Sequence, residues 1–427
     1  MLWNRLKNNK FLKNVAVLMS GTAIAQIITF SLMPIITRIY GPEPIGVLGT
    51  YSAIIMFLGP LVSLTYPIAI VLPKNDYKAR SIAKLSFLIS IFIGLIAGLV
   101  ILFLLEKKLF FFDFKIVSSF VYLLPILITF LSLQQIMEQW LIRKKLFNIQ
   151  AKTSIFQSLT LNLSKIGVGF IYPYAISLII IQTFSILFKF LLMFLMSNKS
   201  ILNSTDKHKI KDIIKIAKEY YDFPLYRAPQ VFINSISQGI PVVLFASYFG
   251  TATAGFYSLG KQVLDTPIQL LGKAVQDVFY PQINEFASKK KELTPFLFKA
   301  IVSLFIIGIV PFGIIIIFGP YIFSLVFGSQ WGIAGEYARW ISLVSLSMLI
   351  TRPVIVSIPV LGIQKQLLLV EIIGTIGKIG SILFAINFLR EPIYAVILFS
   401  VTSALMYLSL MFITFMKSKQ FDTRLRQ

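Results

Sequence analysis

The strongest constraint on this chain is the recurrence of apolar runs about as long as a bilayer is thick. A helix needs roughly 20 predominantly apolar residues to cross the hydrocarbon core. Twelve segments meet that requirement: 14–37, 45–71, 82–105, 116–141, 149–172, 174–197, 223–249, 252–281, 296–318, 336–360, 366–389 and 391–416. The fifth and eighth are polar enough for a hydropathy threshold to miss them. With 57% hydrophobic and 13% charged residues, the chain lies outside the range of soluble domains. The expected class is an all-α integral membrane protein. The first run follows the basic "MLWNRLKNNKFLKN", exceeds a signal-peptide core and shows no small-x-small cleavage site, so it reads as a retained span.

Lys and Arg number 40 against 17 Asp and Glu, a net charge of +23. Their placement explains the excess. The N-terminus (Arg5, Lys7, Lys10, Lys13), the second loop (Lys74, Lys78, Arg80, Lys84) and the fourth (Arg143, Lys144, Lys145, Lys152) are basic, as are the sixth, eighth and tenth loops and the C-terminus. The opposite loops hold only Arg38, Lys107, Lys108, Lys115 and Arg390. The positive-inside rule puts both termini in the cytoplasm, and no nucleic-acid partner is needed to account for the charge. Cysteine is absent, and the one histidine, His208, lies in a polar linker.

Eight basic residues remain inside the spans: Lys165, Lys189, Arg227, Lys261, Lys273, Arg339, Arg352 and Lys378. Lys378 lies eleven residues from both Leu367 and Leu389, about 16 Å from either end of its span at the usual helical rise. Snorkelling recovers only part of that distance. A central ammonium costs roughly 2.5–3.5 kcal/mol on insertion scales, so it should face a wet interior or an anion. Lys165 is nearer its span end, and Lys189 and Arg339 read as interfacial. The eighth span, "FYSLGKQVLDTPIQLLGKAVQDVFYPQ", carries a polar stripe of Gln262, Asp265, Gln269, Gln276 and Tyr280, with Lys261–Asp265 and Lys273–Asp277 spaced as i, i+4 pairs. The seventh span adds Arg227, Gln230, Asn234 and Gln238. Such faces cannot meet lipid. The alternative reading for each Lys–Asp pair is a structural salt bridge. Trp140, Trp331 and Trp340 read as interface-belt residues.

The chain reads as two halves: an N-terminal six-helix bundle over 1–200, a cytoplasmic linker over 201–222 and a C-terminal bundle over 223–427. In the linker, "KIKDIIKIAKEYY" sets Ile210, Ile213, Ile214 and Ala217 on one face among lysines, an amphipathic pattern suited to anionic membrane lipids. "YGPEPIG" (40–46) matches "FGTATAG" (249–255), and Lys152/Lys165 are spaced like Lys365/Lys378, with "KIG" opening at the second lysine of each pair. Offsets of 209 and 213 indicate a duplicated bundle, and transporters commonly bind substrate where such repeats meet. The interior balance is positive, with Glu138, Asp265, Asp277, Glu336 and Glu371 as the acids, and a cationic interior selects anions such as phosphate. No metal cluster, nucleophile elbow or Walker sequence is present, so the chain reads as a non-enzyme with no cofactor and no metal.

"LMSGTAIAQIITFSLMPIITRIYGPEPIGVLGTYSAI" (18–54), with its R-x-Y-G-P-x-x-x-G turn from Arg38 to Gly46, resembles the first two spans of Wzx-type polysaccharide and O-antigen flippases of the multidrug/oligosaccharidyl-lipid/polysaccharide (MOP) exporter superfamily. Residues 223–283 resemble that family's seventh and eighth spans. The resemblance implies a MATE-like fold of two six-helix bundles in a V around a central cavity. It also implies an undecaprenyl-pyrophosphate-linked oligosaccharide as cargo, moved from the inner to the outer leaflet of a bacterial cytoplasmic membrane by alternating access. The further partners it implies are H+ or Na+ and, in cell-envelope assembly, a glycan polymerase and assembly proteins. The family transfers no catalytic motif, so the candidate site rests on the residues. Lys378, Lys261, Lys273, Arg352, Lys165 and Arg227 are candidates for the pyrophosphate, Gln262, Gln269 and Asn234 for sugar hydroxyls, and Asp265 and Asp277 for ion coupling or pairing. A cation-coupled MATE-type multidrug exporter is the alternative, although it calls for an acidic cavity. A membrane glycan polymerase or ligase is a third reading.

Overall fold

The computed structural model describes residues 10–107, 123–197, 210–288 and 291–426, apart from some side chains within 10–18, 101–107, 273–288 and 424–426. The described secondary structure is helical. In chain order the helices are α1 (Lys10–Tyr40), α2 (Pro42–Leu58), α3 (Asp76–Lys107), α4 (Leu124–Arg143), α5 (Phe147–Gly169), α6 (Ala175–Met196) and α7 (Ile210–Glu219). They continue as α8 (Ala228–Phe249), α9 (Thr251–Ser288), α10 (Thr294–Phe327), α11 (Gly332–Ile350), α12 (Arg352–Leu361), α13 (Gln364–Phe384) and α14 (Pro392–Arg426). Each predicted span overlaps a helix among the described residues, eight stretches of which are long and apolar enough to cross a membrane. The polar helices α5 and α9 fall outside those eight, as their composition predicts, together with α2 and α4. Lipid-facing positions are marked by large exposed apolar side chains, such as Phe92, Leu95 and Leu99 on α3 and Ile306, Val310 and Ile317 on α10.

Two compact units make up the chain. One comprises residues up to Tyr40 with Val47–Gly239, the other Gly41–Gly46 with Ile240 onward. In the first unit, α1 packs along α5 and α4 against α3 and α6. Tyr51, fully buried, joins α2 to α6 through a 2.6 Å hydrogen bond between its hydroxyl and that of Thr183. In the second unit, α11 packs against α9, α10 and α14, while α13 lies along α14.

The repeated sequence motifs have a physical basis. Gly41 and Gly250, the first glycines of "YGPEPIG" and "FGTATAG", both hold positive φ (72° and 90°), which lets α1 and α8 stop and the next helix start one residue later. The second glycines face each other. A Cβ on Gly46 would overlap the Thr251 carbonyl oxygen and stand 2.8 Å from the Gly255 nitrogen, and one on Gly255 would overlap the Pro42 carbonyl oxygen. The two turns therefore form one backbone-to-backbone seam within the second unit, between the Pro42 to Gly46 start of α2 and the start of α9. The lysine repeat behaves likewise: Lys152 and Lys365 are exposed, whereas Lys165 and Lys378 are 8% and 6% exposed.

Two spans read as continuous are broken. The 45–71 segment is α-helical only to Leu58, then passes through an irregular stretch that includes the buried Val62 and Ser63 before a 3-10 turn over Tyr66–Val71. Leu64 and Thr65 adopt φ of 49° and 58°, a left-handed conformation that is strained for a β-branched threonine. The 336–360 segment breaks at Thr351, where Pro353 near the start of α12 supplies no backbone donor.

Two local readings are corrected. The apolar face of α7, assigned from sequence to the lipid surface, is covered by protein at Ile213 and Ile216, which pack with Tyr66, Ile70, Ile82 and Trp140; Ile214 remains exposed. Tyr77–Asp212 (2.7 Å) and Lys78–Glu219 (2.9 Å) tie the same helix to α3. Trp140 and Trp331 are wholly buried rather than interfacial. Trp140 carries the Lys144 ammonium 5.2 Å above its ring, and Trp331 stacks edge-on against Phe256. Lys189, read as interfacial, has a partner: its ammonium donates to Glu138 at 2.7 Å with its side chain 14% exposed, a pairing across 51 residues that no local pattern reveals.

Candidate functional site

Charge inside the second unit gathers where α9, α12, α13 and α14 meet. Lys378, buried on α13, lies with its ammonium 5.7 Å from the ring centroid of Tyr407 on α14, within cation–π range. Lys378 lies within electrostatic range of Glu371 and Lys261, and the neutral phenol of Tyr407 within that range of Arg352, Asp265 and Glu371. Lys261 pairs with Asp265 one helical turn along α9, both partly buried. Arg352 opens α12 at the break after Thr351. Its Nε would stand 2.9 Å from a Cβ on Gly272, so the guanidinium lies directly over the α9 backbone. That Nε is buried, with no hydrogen-bond partner among the described residues.

The group therefore comprises three bases, Lys261, Arg352 and Lys378, and two acids, Asp265 and Glu371. A buried donor that makes no hydrogen bond is uncommon and marks a place for an acceptor. Guanidinium and ammonium groups at a helix break, with a phenol beside them, are suited to phosphate oxygens. Among the described residues no three His, Cys, Asp or Glu side chains converge as a metal site would require.

The structure brings four of the sequence-selected residues into this group: Lys261, Asp265, Arg352 and Lys378. Gln262 and Gln269 are exposed on α9. The side chains of Lys273 and Asp277 lie outside the described residues. Lys165 belongs to the first unit, where its ammonium donates to Gln182 at 3.2 Å and its carbonyl accepts from Tyr40 at 2.8 Å. Arg227 and Asn234 lie on a stripe at the start of α8 with Gln230 and Gln238, all four exposed. Arg227 bonds Gln230 at 3.0 Å and Gln238 bonds Asn234 at 2.9 Å. An exposed polar stripe on a membrane helix must meet water or ligand rather than acyl chains.

Sequence reasoning missed Tyr407 and gave Glu371 no role. Both carried a usable signal: Glu371 lies seven residues, two helical turns, before Lys378, and Tyr407 is a phenol well inside an otherwise apolar span.

A family model described as "Polysaccharide biosynthesis protein" matches residues 35–335. No curated protein matches the chain in sequence. Among solved structures, the lipid II flippase MurJ in an inward closed conformation superposes with a TM-score of 0.69 at 15% identity, covering 96% of this chain and 90% of that one. An inward-facing multidrug resistance MATE family transporter of the MOP superfamily gives 0.64 at 11% identity, covering 98% and 99%. A MOP superfamily transporter from Pyrococcus furiosus gives 0.58 at 13% identity, covering 99% and 98%. At these identities the likeness establishes the fold, which is MATE-like.

Proposed function

The chain belongs to the polysaccharide biosynthesis protein family, and from that premise we propose that it is a flippase for an undecaprenyl-pyrophosphate-linked oligosaccharide. The observation that carries the reading is the buried basic group of the second unit, above all Lys378 and the Arg352 Nε, which has no hydrogen-bond partner among the described residues. In this reading Arg352, Lys378 and Lys261 attract the pyrophosphate, with Lys273 joining them from α9. Asp265 and Asp277 orient those lysines or exchange them for a coupling cation, H+ or Na+. Gln262 and Gln269 of the second unit and Asn234 of the first are candidates for sugar hydroxyls, and Lys165 and Arg227 of the first unit are further candidates for the phosphates. No catalytic step is involved.

The basic loops orient the chain with both termini in the cytoplasm of a bacterial cell, and the functional halves are 1–200 and 223–427 joined by the linker at 201–222. A glycan polymerase and assembly proteins would then receive the product. A multidrug exporter on the same fold is disfavoured by the basic balance of the group, because cationic drugs call for an acidic one. The test is export of the surface glycan in cells carrying Lys378→Gln. Export should be abolished with protein abundance unchanged; normal surface glycan would refute the reading.

A further inference from the structure

The broken second span opens a pocket of about 300 Å³ in the first unit, apart from the basic group described above. Gln135, Glu138 and Gln139 line it from one face of α4, Thr65 from the strained turn and Ser235 from α8. Met56, Pro60 and Val231 add apolar wall. The break makes the pocket possible: a continuous helix through Gly59–Thr65 would satisfy its own backbone, whereas irregular backbone at membrane depth persists where it is buried or lines a cavity.

The hydrogen bonds within the lining show what the pocket lacks. Gln135 is committed, donating to the Gly59 carbonyl at 3.1 Å and accepting from Ser63 at 3.3 Å. One oxygen of Glu138 accepts from Lys189 at 2.7 Å and from Gln134 at 3.0 Å, which leaves its second oxygen without a partner among the described residues. Gln139 makes no hydrogen bond among them, so a carboxamide donor and acceptor are open. Thr65 and Ser235 spend their protons on the Phe223 and Val231 carbonyls and keep lone pairs. The open set is therefore several acceptors and one amide donor.

Charge narrows the ligand further. The lining includes no basic side chain, so a phosphate finds no counter-charge. The Glu138 carboxylate is already neutralised by Lys189, so a cation gains little. A neutral group rich in hydroxyl donors, with C–H faces for the apolar wall, matches what remains. The volume equals about ten waters, room for one sugar ring.

We infer that this pocket binds one saccharide unit of the cargo glycan, held by Glu138, Gln139, Thr65 and Ser235. The assignment rests on the proposed cargo for the source of the sugar, but the pocket chemistry stands on its own. α4 ends at the basic Arg143 and the 3-10 turn leads to Lys74, so the proposed orientation sets the pocket toward the cytoplasm, where the glycan is built.

The test is a thermal-shift titration of the purified full-length protein in nanodiscs with glucose, galactose, mannose and N-acetylglucosamine, against sodium chloride, choline chloride and pyrophosphate. At least one sugar should raise the midpoint saturably. Gln139→Leu, which removes one or two hydrogen bonds from an unbonded side chain, should weaken that sugar about five- to tenfold. Ile68→Trp, filling the pocket from an exposed position, should abolish the shift. Lys378→Gln should retain it. No shift with any sugar, a shift with sodium instead, or an unaltered sugar shift in both pocket variants would overturn the inference. Normal glycan export in Gln139→Leu cells would overturn the assignment of the sugar to the cargo. Failure of the sugar titration leaves the Lys378→Gln export result to judge the flippase reading separately.

Discussion

Replacing either glycine of the α2–α9 seam by alanine tests the packing that the sequence repeat encodes. At Gly46 the new methyl would overlap the Thr251 carbonyl oxygen and stand 2.7 Å from its carbon; at Gly255 it would overlap the Pro42 carbonyl oxygen and stand 3.1 Å from the Gly46 nitrogen. Every atom struck belongs to the backbone, so no rotamer change relieves the collision. The nearest oxygens would lie 1.7 and 2.1 Å from the new methyls, so the backbones must part by about 1.3–1.7 Å to reach ordinary contact, and a gap of even about 1 Å forfeits up to half of each dispersion contact along the seam. Overpacking costs about 1–3 kcal/mol when side chains can yield, and the cost here should lie at or above the top of that range. Alanine returns about 1 kcal/mol of helix propensity. The expected net loss is about 2 kcal/mol for each variant. Gly167→Ala on α5 and Gly380→Ala on α13 are the controls: neither methyl would meet any atom within 4 Å, so each should gain about 0.5–1 kcal/mol. Melting followed by fluorescence-detected size-exclusion chromatography ranks the four variants. Seam variants that melt at or above the wild type would refute the close approach.

Asp422 on α14 caps α10, its two carboxylate oxygens accepting from the Leu293 and Thr294 backbone nitrogens at 2.8 and 2.9 Å; Asp422→Ala should cost about 2 kcal/mol, read as a lowered melting midpoint, and Asp422→Asn should cost less. Ile216→Ala should loosen α7 by about 2–4 kcal/mol of lost core packing, exposing Lys211, Lys215 and Lys218 to trypsin; an unchanged digest would contradict the docking of α7. Arg143 binds Asp76 through two nitrogens at 3.0 and 2.9 Å and also reaches the Ile70, Pro73 and Lys74 carbonyls. Arg143→Lys loses that planar fork and should cost about 1–3 kcal/mol, seen as faster amide exchange across residues 70–76.

The spans were legible because length and apolarity alone define a membrane helix, and even the polar α5 and α9 gave themselves away by helical spacing. The breaks were not. Residues 54–72, "IIMFLGPLVSLTYPIAIVL", are apolar throughout, so hydropathy runs across Gly59, Pro60 and Pro67 without interruption. Those three residues were the only local warning. Lys261–Asp265 was visible as an i, i+4 pair, whereas Glu138–Lys189 joins separate helices and leaves no spacing to read. Trp140 and Trp331 were misplaced because belt statistics describe tryptophans at the lipid boundary, while these two fill the interior of their units. For α7, an amphipathic face announces that something apolar covers it; the sequence does not say whether that is lipid or α3 and α4.

The most direct measurement of the central claim is the affinity of undecaprenyl pyrophosphate for the purified protein, by native mass spectrometry or tryptophan quenching, in the wild type, Lys378→Gln and Arg352→Gln. Each substitution removes one charge-assisted hydrogen bond, worth about 1.5–3 kcal/mol, so each should raise the Kd about 10- to 100-fold while leaving the fold intact. An affinity indifferent to both would contradict the claim that the basic group of the second unit holds the phosphates.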